Sequence, residues 1–118
     1  MKKIKIKRVY ETPAPDDGYR MLVDRLWPRG LTKAKAALDE WNKEVAPSPE
    51  IRTWFAHKPE KFTRFRELYL IELSKKTDEL KRLKYISQKQ NLTLLYAAKD
   101  EKINHVVILL NVLSKIEK

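Results

Sequence analysis

Two short polar stretches, each directly after an apolar run, carry the side chains best suited to chemistry. The first is DRLWPRG over 24–30, which follows the run from Met21 to Val23. The second is YAAKD over 96–100, with Asn104 and His105 shortly after it. Guanidinium groups bind carboxylates and phosphates through paired hydrogen bonds, and an imidazole exchanges protons near neutral pH. Together the stretches predict a site for a small anionic molecule, phosphorylated or nucleoside-like.

Each polar side chain has an expected role in such a site. The arginines would bind the anion, an aspartate would act as a base or orient the ligand, and the histidine would carry a proton. The indole of Trp27, placed in a turn by Pro28, could stack on a ring of the ligand. The candidate catalytic residues are therefore Asp24, Asp100 and His105. The candidate ligand-binding residues are Arg25, Trp27, Arg29, Tyr96, Lys99 and Asn104.

The same residues also have structural interpretations. Asp24 and a neighbouring arginine could form an ion pair that closes a strand end. Asp100 is well placed to cap the following helix. His105 lies four residues after Glu101, which is the spacing of an exposed acid–base pair on a helix. His57 could donate a hydrogen bond to a backbone group at a helix start. Both sets of interpretations stay open at the level of sequence.

Parallel strands of one sheet would bring the two polar stretches together. KIKIKRVY alternates apolar and basic residues, YRMLVDRLW has a compact apolar centre, and NLTLLYAAKD contains a continuous apolar run. These patterns predict three strands, the last of them covered on both faces. In open α/β folds, ligands bind beyond the carboxyl ends of parallel strands. The segment joining the first two strands fits a hairpin as well as a crossover, so the direction of the first strand stays open.

The rest of the chain is predicted to be helical. Thr32 is a candidate N-cap for a helix over 33–45, and Ser48 for a short helix that ends at Phe55. A long helix opens near Pro59, with a break allowed near Lys76.

A last helix follows the third strand, with Asp100 as its candidate cap and a strand over 106–110 as the competing interpretation. The order β-β-α-α-α-β-α predicts a single α/β domain over residues 1–118. Its core would be a small, mostly parallel three-stranded sheet with helices packed on it.

The composition favours anionic partners. The chain has 26 lysines and arginines against 16 acidic residues, a formal charge of +10, with five of the positive charges in residues 2–8. This balance attracts phosphates and nucleic acids. There is no cysteine, which excludes disulfides and fits a cytoplasmic protein. The longest apolar run, 106–110, is far shorter than the roughly 20 residues of a membrane-spanning helix, so no membrane partner is expected.

Several well-known site motifs are missing from the sequence. It has two glycines and two histidines, and it contains no glycine-rich phosphate loop, no G-x-S-x-G and no H-E-x-x-H. We therefore expect no nucleotide cofactor, and no metal site, which would need three or four ligands.

Three separated blocks, DGYRMLVDRLWPRGL, APSPEIRTWFAHKPEKFTRFRELYL and TLLYAAKDEKINHVVIL, resemble the small, YeaO-like branch of the domain-of-unknown-function family 488. The resemblance covers nearly the whole chain, and it implies an α/β domain without implying a reaction. The polar blocks of the family correspond to the following residues: Asp24, Arg25, Trp27, Pro28, Arg29 and Gly30, then His57, and then Lys99, Asp100, Asn104 and His105. Ala56 stands where many members have a glycine, and Lys102-Ile103 replaces a more polar pair.

Three functions remain open on the sequence alone. The first is an enzyme or ligand-binding domain with its site at two strand ends. The second is a nucleic-acid-binding module that uses the basic amino-terminal strand and the long helix. The third is a structural or interaction protein without a ligand, whose polar strand ends are only ion pairs. The sequence decides neither whether the protein is an enzyme nor its oligomeric state.

Overall fold

The computed structural model describes residues 3–116, which form a parallel sheet with helices packed on it. The strands are β1 (Ile4–Arg8), β2 (Tyr19–Leu22), β3 (Glu40–Trp41) and β4 (Leu92–Tyr96). Their order across the sheet is β1-β4-β2-β3, and every pairing is parallel. The predicted α/β class and parallel sheet are confirmed, and the first strand, whose direction the sequence left open, is parallel as well.

The central strand β4 explains the continuous apolar run. Leu92 lies opposite Ile4 of β1 on one side and opposite Tyr19 of β2 on the other. All five residues of β4 are buried, because helices cover both faces of the sheet. Leu92, Leu94 and Tyr96 face the larger core, and Leu95 faces a smaller one.

A fourth, very short strand replaces part of a predicted helix. The helix predicted over 33–45 is only α1 (Lys33–Ala36), which ends because Ala37 takes left-handed backbone with φ 49°. The chain then returns to the edge of β2 as β3, where the amides of Asp39 and Asn42 donate to backbone carbonyls of β2. Pairing with the sheet edge therefore outweighs the helix propensity of this segment.

The helices after α1 are α2 (Pro49–Phe55), α3 (Phe62–Ser74), α4 (Thr77–Lys89) and α5 (His105–Ser114). Thr32 and Ser48 cap α1 and α2 as predicted, each accepting a hydrogen bond from the amide three residues later. The break allowed near Lys76 separates α3 from α4. Residues 106–110 are helical, so the competing strand interpretation is wrong.

The larger core lies between the sheet and helices α2 to α5. Its buried members include Phe55, Phe65, Tyr69, Leu83, Val106 and Leu109. The smaller core lies on the opposite face, under α1 and the loop after β2, where Trp27 and Leu31 pack on it. Helices and loops on both faces thus leave the carboxyl ends of the strands as the open edge of the domain. Within residues 3–116, no helix has the length and apolar character needed to cross a membrane.

A buried aspartate at the opposite end of the sheet holds the basic first strand. The Asp17 side chain is 1% exposed, and its carboxylate accepts hydrogen bonds from Arg20 (2.5 Å), Lys7 (3.0 Å) and Lys5 (3.2 Å). Burial alone would raise the pKa of this carboxyl, but bonds from the Ala14 amide and the three cations lower the pKa well below its usual value. Two lysines of the basic strand are therefore engaged in internal ion pairs.

Candidate functional site

A cavity of about 700 Å³ opens at the carboxyl ends of β2 and β4. Its walls come from the loop after β2, the loop after β4, the start of α5 and the helices α2 and α3. The lining residues are Tyr10, Asp24, Arg25, Leu26, Trp27, Pro28, Arg29, Ala46, Pro47, Arg52, Phe55, His57, Phe65, Ala97, Ala98, Lys99, Asp100, Asn104 and His105. The crevice therefore lies where ligands bind in open parallel α/β sheets.

The floor and the mouth of this cavity differ in chemistry. The floor is formed by buried or half-buried residues, most of them apolar, such as Phe55, Phe65 and Pro47. The mouth carries exposed side chains, among them the three cations Arg29, Arg52 and Lys99 and one acid, Asp100. A ligand would therefore meet apolar surface at one end and positive charge at the other.

Asp24 joins the two strand ends. Its Oδ2 accepts a hydrogen bond of 2.9 Å from the amide of Ala97, just beyond β4, and its Oδ1 lies 3.1 Å from Nε2 of His105. The indole Nε1 of Trp41 donates to the backbone carbonyl of Asp24 at 2.7 Å. These bonds hold the loop after β2 against β4 and α5. The partner of Asp24 is thus the histidine and not one of the neighbouring arginines.

His105 is fixed in one tautomer by its backbone partner. Its Nε2 lies 2.7 Å from the carbonyl oxygen of Val23, which can only accept, so Nε2 carries the proton. Nδ1 has no hydrogen-bond partner among residues 3–116, and among those residues no fully buried side-chain nitrogen lacks a partner. Nδ1 is therefore accessible, and in the neutral ring it is a free acceptor at the cavity. The ring packs edge-on against Tyr69, with centroids 6.1 Å apart.

Tyr69 lies in the core beside His105 and helps to hold its ring in place. It is fully buried, and its hydroxyl donates to the carbonyl oxygen of Val45 at 2.5 Å. Burial raises the pKa of the Tyr69 hydroxyl well above its usual value, so the group stays a neutral donor.

Arg25 lines the cavity but is bonded to backbone. Its Nε donates to the carbonyl oxygen of Pro47 at 2.7 Å, and its Nη2 lies 3.4 Å from the carbonyl oxygen of Ala46. Arg8 makes the same kind of contact, from Nε to the carbonyl oxygen of Ala98 at 2.9 Å. Both guanidinium groups hold the backbone around the cavity in place.

The N-cap of α5 differs from the one predicted from the sequence. The N-cap of α5 is Asn104, whose Oδ1 accepts from the amides of Val106 and Val107 at 2.9 and 3.1 Å. The cap is not Asp100, which lies too far ahead of the helix. Its Oδ1 accepts from the amides of Ile103 and Lys102 instead, and these bonds lower the pKa of the Asp100 carboxyl. Because α5 begins at His105, a helical pair with Glu101 does not form either.

The cations of the mouth form no ion pairs, although the acid Asp100 also lines the cavity. Within the described part of the chain, the side chains of Arg29, Arg52 and Lys99 form no ion pair with any aspartate or glutamate. His57 joins them at the mouth with left-handed backbone, φ 58°, directly after Ala56 with φ 48°. Backbone of this kind is uncommon outside glycine, although histidine adopts it more readily than most residues.

Trp27 is held at the side of the cavity. Its Nε1 donates to the carbonyl oxygen of Leu31 at 2.7 Å, and its ring meets Trp41 edge-on with centroids 5.3 Å apart. The indole is thus a rigid, half-buried group that lines the cavity.

Sequence comparison assigns the family. Residues 3–117 match the family described as the inactive DUF488-N3 subclade. The chain belongs to this DUF488 family. It is 52% identical over 106 residues to the uncharacterized protein YeaO of Escherichia coli, covering 90% of this chain and 92% of that protein. It is 37% identical over 112 residues to an uncharacterized protein of Mycobacterium tuberculosis, covering 95% and 94% of the two chains. No solved structure matches the chain.

The cavity of this DUF488 chain gathers nearly all the residues predicted from the two polar stretches. Asp24, Asp100, His105, Arg25, Trp27, Arg29, Lys99 and Asn104 line it. Tyr96 does not, since it is 2% exposed within β4 and packs in the larger core, where burial raises the pKa of its hydroxyl.

Several lining residues were not predicted. Arg52 and Phe55 come from α2, and Phe65 comes from α3. His57, which the sequence connected with a backbone contact and with a polar block of the family but not with the site, lines the mouth. Among the residues described, no three histidine, aspartate or glutamate side chains converge closely enough to hold a metal ion.

Proposed function

We propose that this DUF488 chain is a ligand-binding domain that holds a small anionic molecule in the cavity beyond β2 and β4. The observation that carries the proposal is the cavity mouth, where three cations, Arg29, Arg52 and Lys99, share one opening with a single acid, Asp100, and form no ion pair among residues 3–116. Pockets of roughly 300–1,000 Å³ with an apolar lining and a few convergent polar groups are the usual form of small-molecule sites. Guanidinium groups at such a mouth suit carboxylate or phosphate.

We propose binding without turnover. A general base needs a free oxygen or nitrogen near the proton that it removes. Asp24 uses both carboxylate oxygens, one for the Ala97 amide and one for His105. Asp100 accepts two amides of its own turn through Oδ1, which leaves Oδ2 free among residues 3–116, and Nδ1 of His105 is free as well. The assignment therefore rests on Asp24 and on the description of the matching subclade as inactive.

A thermal-shift series tests the proposal, because a ligand that binds only the folded state raises its stability. The wild-type chain is heated with inorganic phosphate, sugar phosphates, nucleoside monophosphates and citrate, each at millimolar concentration. At least one of the organic anions is expected to raise Tm in a concentration-dependent way, and ³¹P or ¹H NMR is expected to recover it unchanged after incubation.

Two matched variants locate the effect. Arg29→Gln combined with Arg52→Gln should abolish the rise in Tm, whereas Arg66→Gln, on the exposed surface of α3 and outside the cavity lining, should retain it. The proposal fails if no anion raises Tm, or if the double variant responds as strongly as the wild type.

A further inference from the structure

The floor of the cavity offers an anion few free donors. Its one cation is Arg25, whose guanidinium already donates to the carbonyl oxygens of Pro47 and Ala46. Its acceptors are Nδ1 of His105 in the neutral ring and the carboxylate of Asp24, 17% exposed, whose oxygens each keep a second lone pair beside the bond already made. The side chain of Asn104 is already engaged, because its amide oxygen accepts the hydrogen bonds that cap α5 and its amide nitrogen donates to the carbonyl oxygen of Asp100. Because acceptors and a carboxylate repel an anionic group, the charged end of any ligand must lie at the mouth.

The same floor favours a flat ring that carries N–H donors. Phe55 and Phe65 are stacked with their centroids 4.3 Å apart, and both line the cavity. Trp27 supplies a further rigid indole at the side. Rings bury apolar area against such walls, and ring or amino N–H groups satisfy acceptors that apolar groups would leave unpaired.

The two ends together define one ligand class. We infer that the ligand is a nucleoside monophosphate, with its base on the floor against Asp24 and His105 and its phosphate at the mouth near Arg29 and Arg52. This inference rests on the proposed function and makes its ligand specific. A sugar phosphate would leave the aromatic floor uncovered, and a nucleoside alone would leave the cations of the mouth unpaired.

Isothermal titration of the wild-type chain with adenosine 5′-monophosphate, adenosine and ribose 5-phosphate separates the two ends. The monophosphate is expected to bind at least tenfold more tightly than either fragment. In the Arg29→Gln/Arg52→Gln variant its affinity should fall to that of adenosine, while the affinity for adenosine stays unchanged. In a His105→Gln variant, checked for folding by circular dichroism, adenosine should bind at least tenfold more weakly.

Each alternative outcome separates this inference from the proposed function. If ribose 5-phosphate binds as tightly as the monophosphate, the base makes no contribution; the inference is wrong and anion binding stands. If adenosine binds as tightly, the phosphate makes no contribution and the assigned orientation is wrong. If adenosine 5′-monophosphate does not bind but citrate or a sugar phosphate raises Tm, only the inference fails. If no anion of the thermal-shift series binds, both fail.

Discussion

Nε2 of His105 lies 3.1 Å from Oδ1 of Asp24 and donates a hydrogen bond of 2.7 Å to the carbonyl oxygen of Val23. This one ring nitrogen therefore connects the start of α5 to the segment that follows β2. Asp24 in turn accepts a hydrogen bond from the backbone amide of Ala97, just beyond β4. Three elements that are distant in sequence thus meet through two side chains. The pair that the sequence predicts to be catalytic also joins these elements, and Nδ1 of His105 remains accessible at the cavity.

Replacing Asp24 by asparagine should destabilise the fold. An amide in place of the carboxylate can accept from the Ala97 amide, but its NH₂ group then faces the Nε2 proton of His105. We expect the free energy of unfolding, measured by urea titration, to fall by about 1–3 kcal/mol, as for a broken buried hydrogen bond. Asp78→Asn, at an exposed position of α4, should change it by less than about 0.5 kcal/mol. Equal stability of the two variants would contradict the role assigned to Asp24.

Asp17 should govern the acid sensitivity of the protein. Because its pKa is lower in the folded than in the unfolded chain, its contribution to stability is complete above the unfolded value of about 4 and is lost as the pH falls below that value. Asp17→Asn should lower the free energy of unfolding near pH 7 by about 3–5 kcal/mol and flatten its decrease in acid. Asp16→Asn, next to it and exposed, should leave the pH profile parallel to that of the wild type. Profiles of equal slope for all three proteins would refute this assignment.

Ala56→Gly should stabilise the chain. Ala56 has φ 48°, a left-handed conformation that costs an alanine roughly 1–2 kcal/mol of stability and costs a glycine almost nothing. Part of this gain is lost, about 0.4–1 kcal/mol, because glycine also makes the unfolded chain more flexible. We therefore expect a gain of about 0.5–1 kcal/mol in urea unfolding. Ala34→Gly, inside α1, should instead cost about 0.5–1 kcal/mol. A loss of stability in Ala56→Gly would show that its backbone carries no strain.

Arg25→Lys should cost stability although it preserves the charge. A lysine lacks the planar fork that reaches the carbonyl oxygens of Pro47 and Ala46 from Nε and Nη2. The expected loss in urea unfolding is about 1.5–3 kcal/mol, the usual contribution of a hydrogen bond to a charged group. Arg66→Lys should lie within about 0.5 kcal/mol of the wild type. If both variants unfold alike, Arg25 is not needed to hold the loop before α2.

The strand ends could be predicted from sequence because periodicity and abrupt polar residues mark where each strand stops. Tyr96 was assigned to the site although the period-two alternation of β4 places it with Leu92 and Leu94, on the core face. That signal was present in the sequence. The two residues of β3 are too few to show any period, so the helix propensity around them dominated.

The remaining wall of the cavity could not be predicted. Arg52, Phe55 and Phe65 reach it only because α2 and α3, within the long crossover, fold back over the carboxyl edge of the sheet. No local sequence pattern predicts how α2 and α3 are oriented relative to the sheet. The tautomer of His105 likewise depends on Val23, a backbone partner that lies 82 residues away in sequence.

The two histidines of the chain allow the central claim, anion binding in this cavity, to be measured directly. Long-range ¹H–¹⁵N NMR spectra of the imidazoles, assigned with His57→Gln, should show a proton on Nε2 of His105 in the free protein. Addition of adenosine 5′-monophosphate should shift the signals of His57 at the mouth and of Nδ1 of His105 at the floor, with one common saturation curve. Imidazole signals that stay unchanged up to millimolar concentration with this monophosphate and with every anion of the thermal-shift series, or that shift equally in the Arg29→Gln/Arg52→Gln variant, would contradict binding in the cavity.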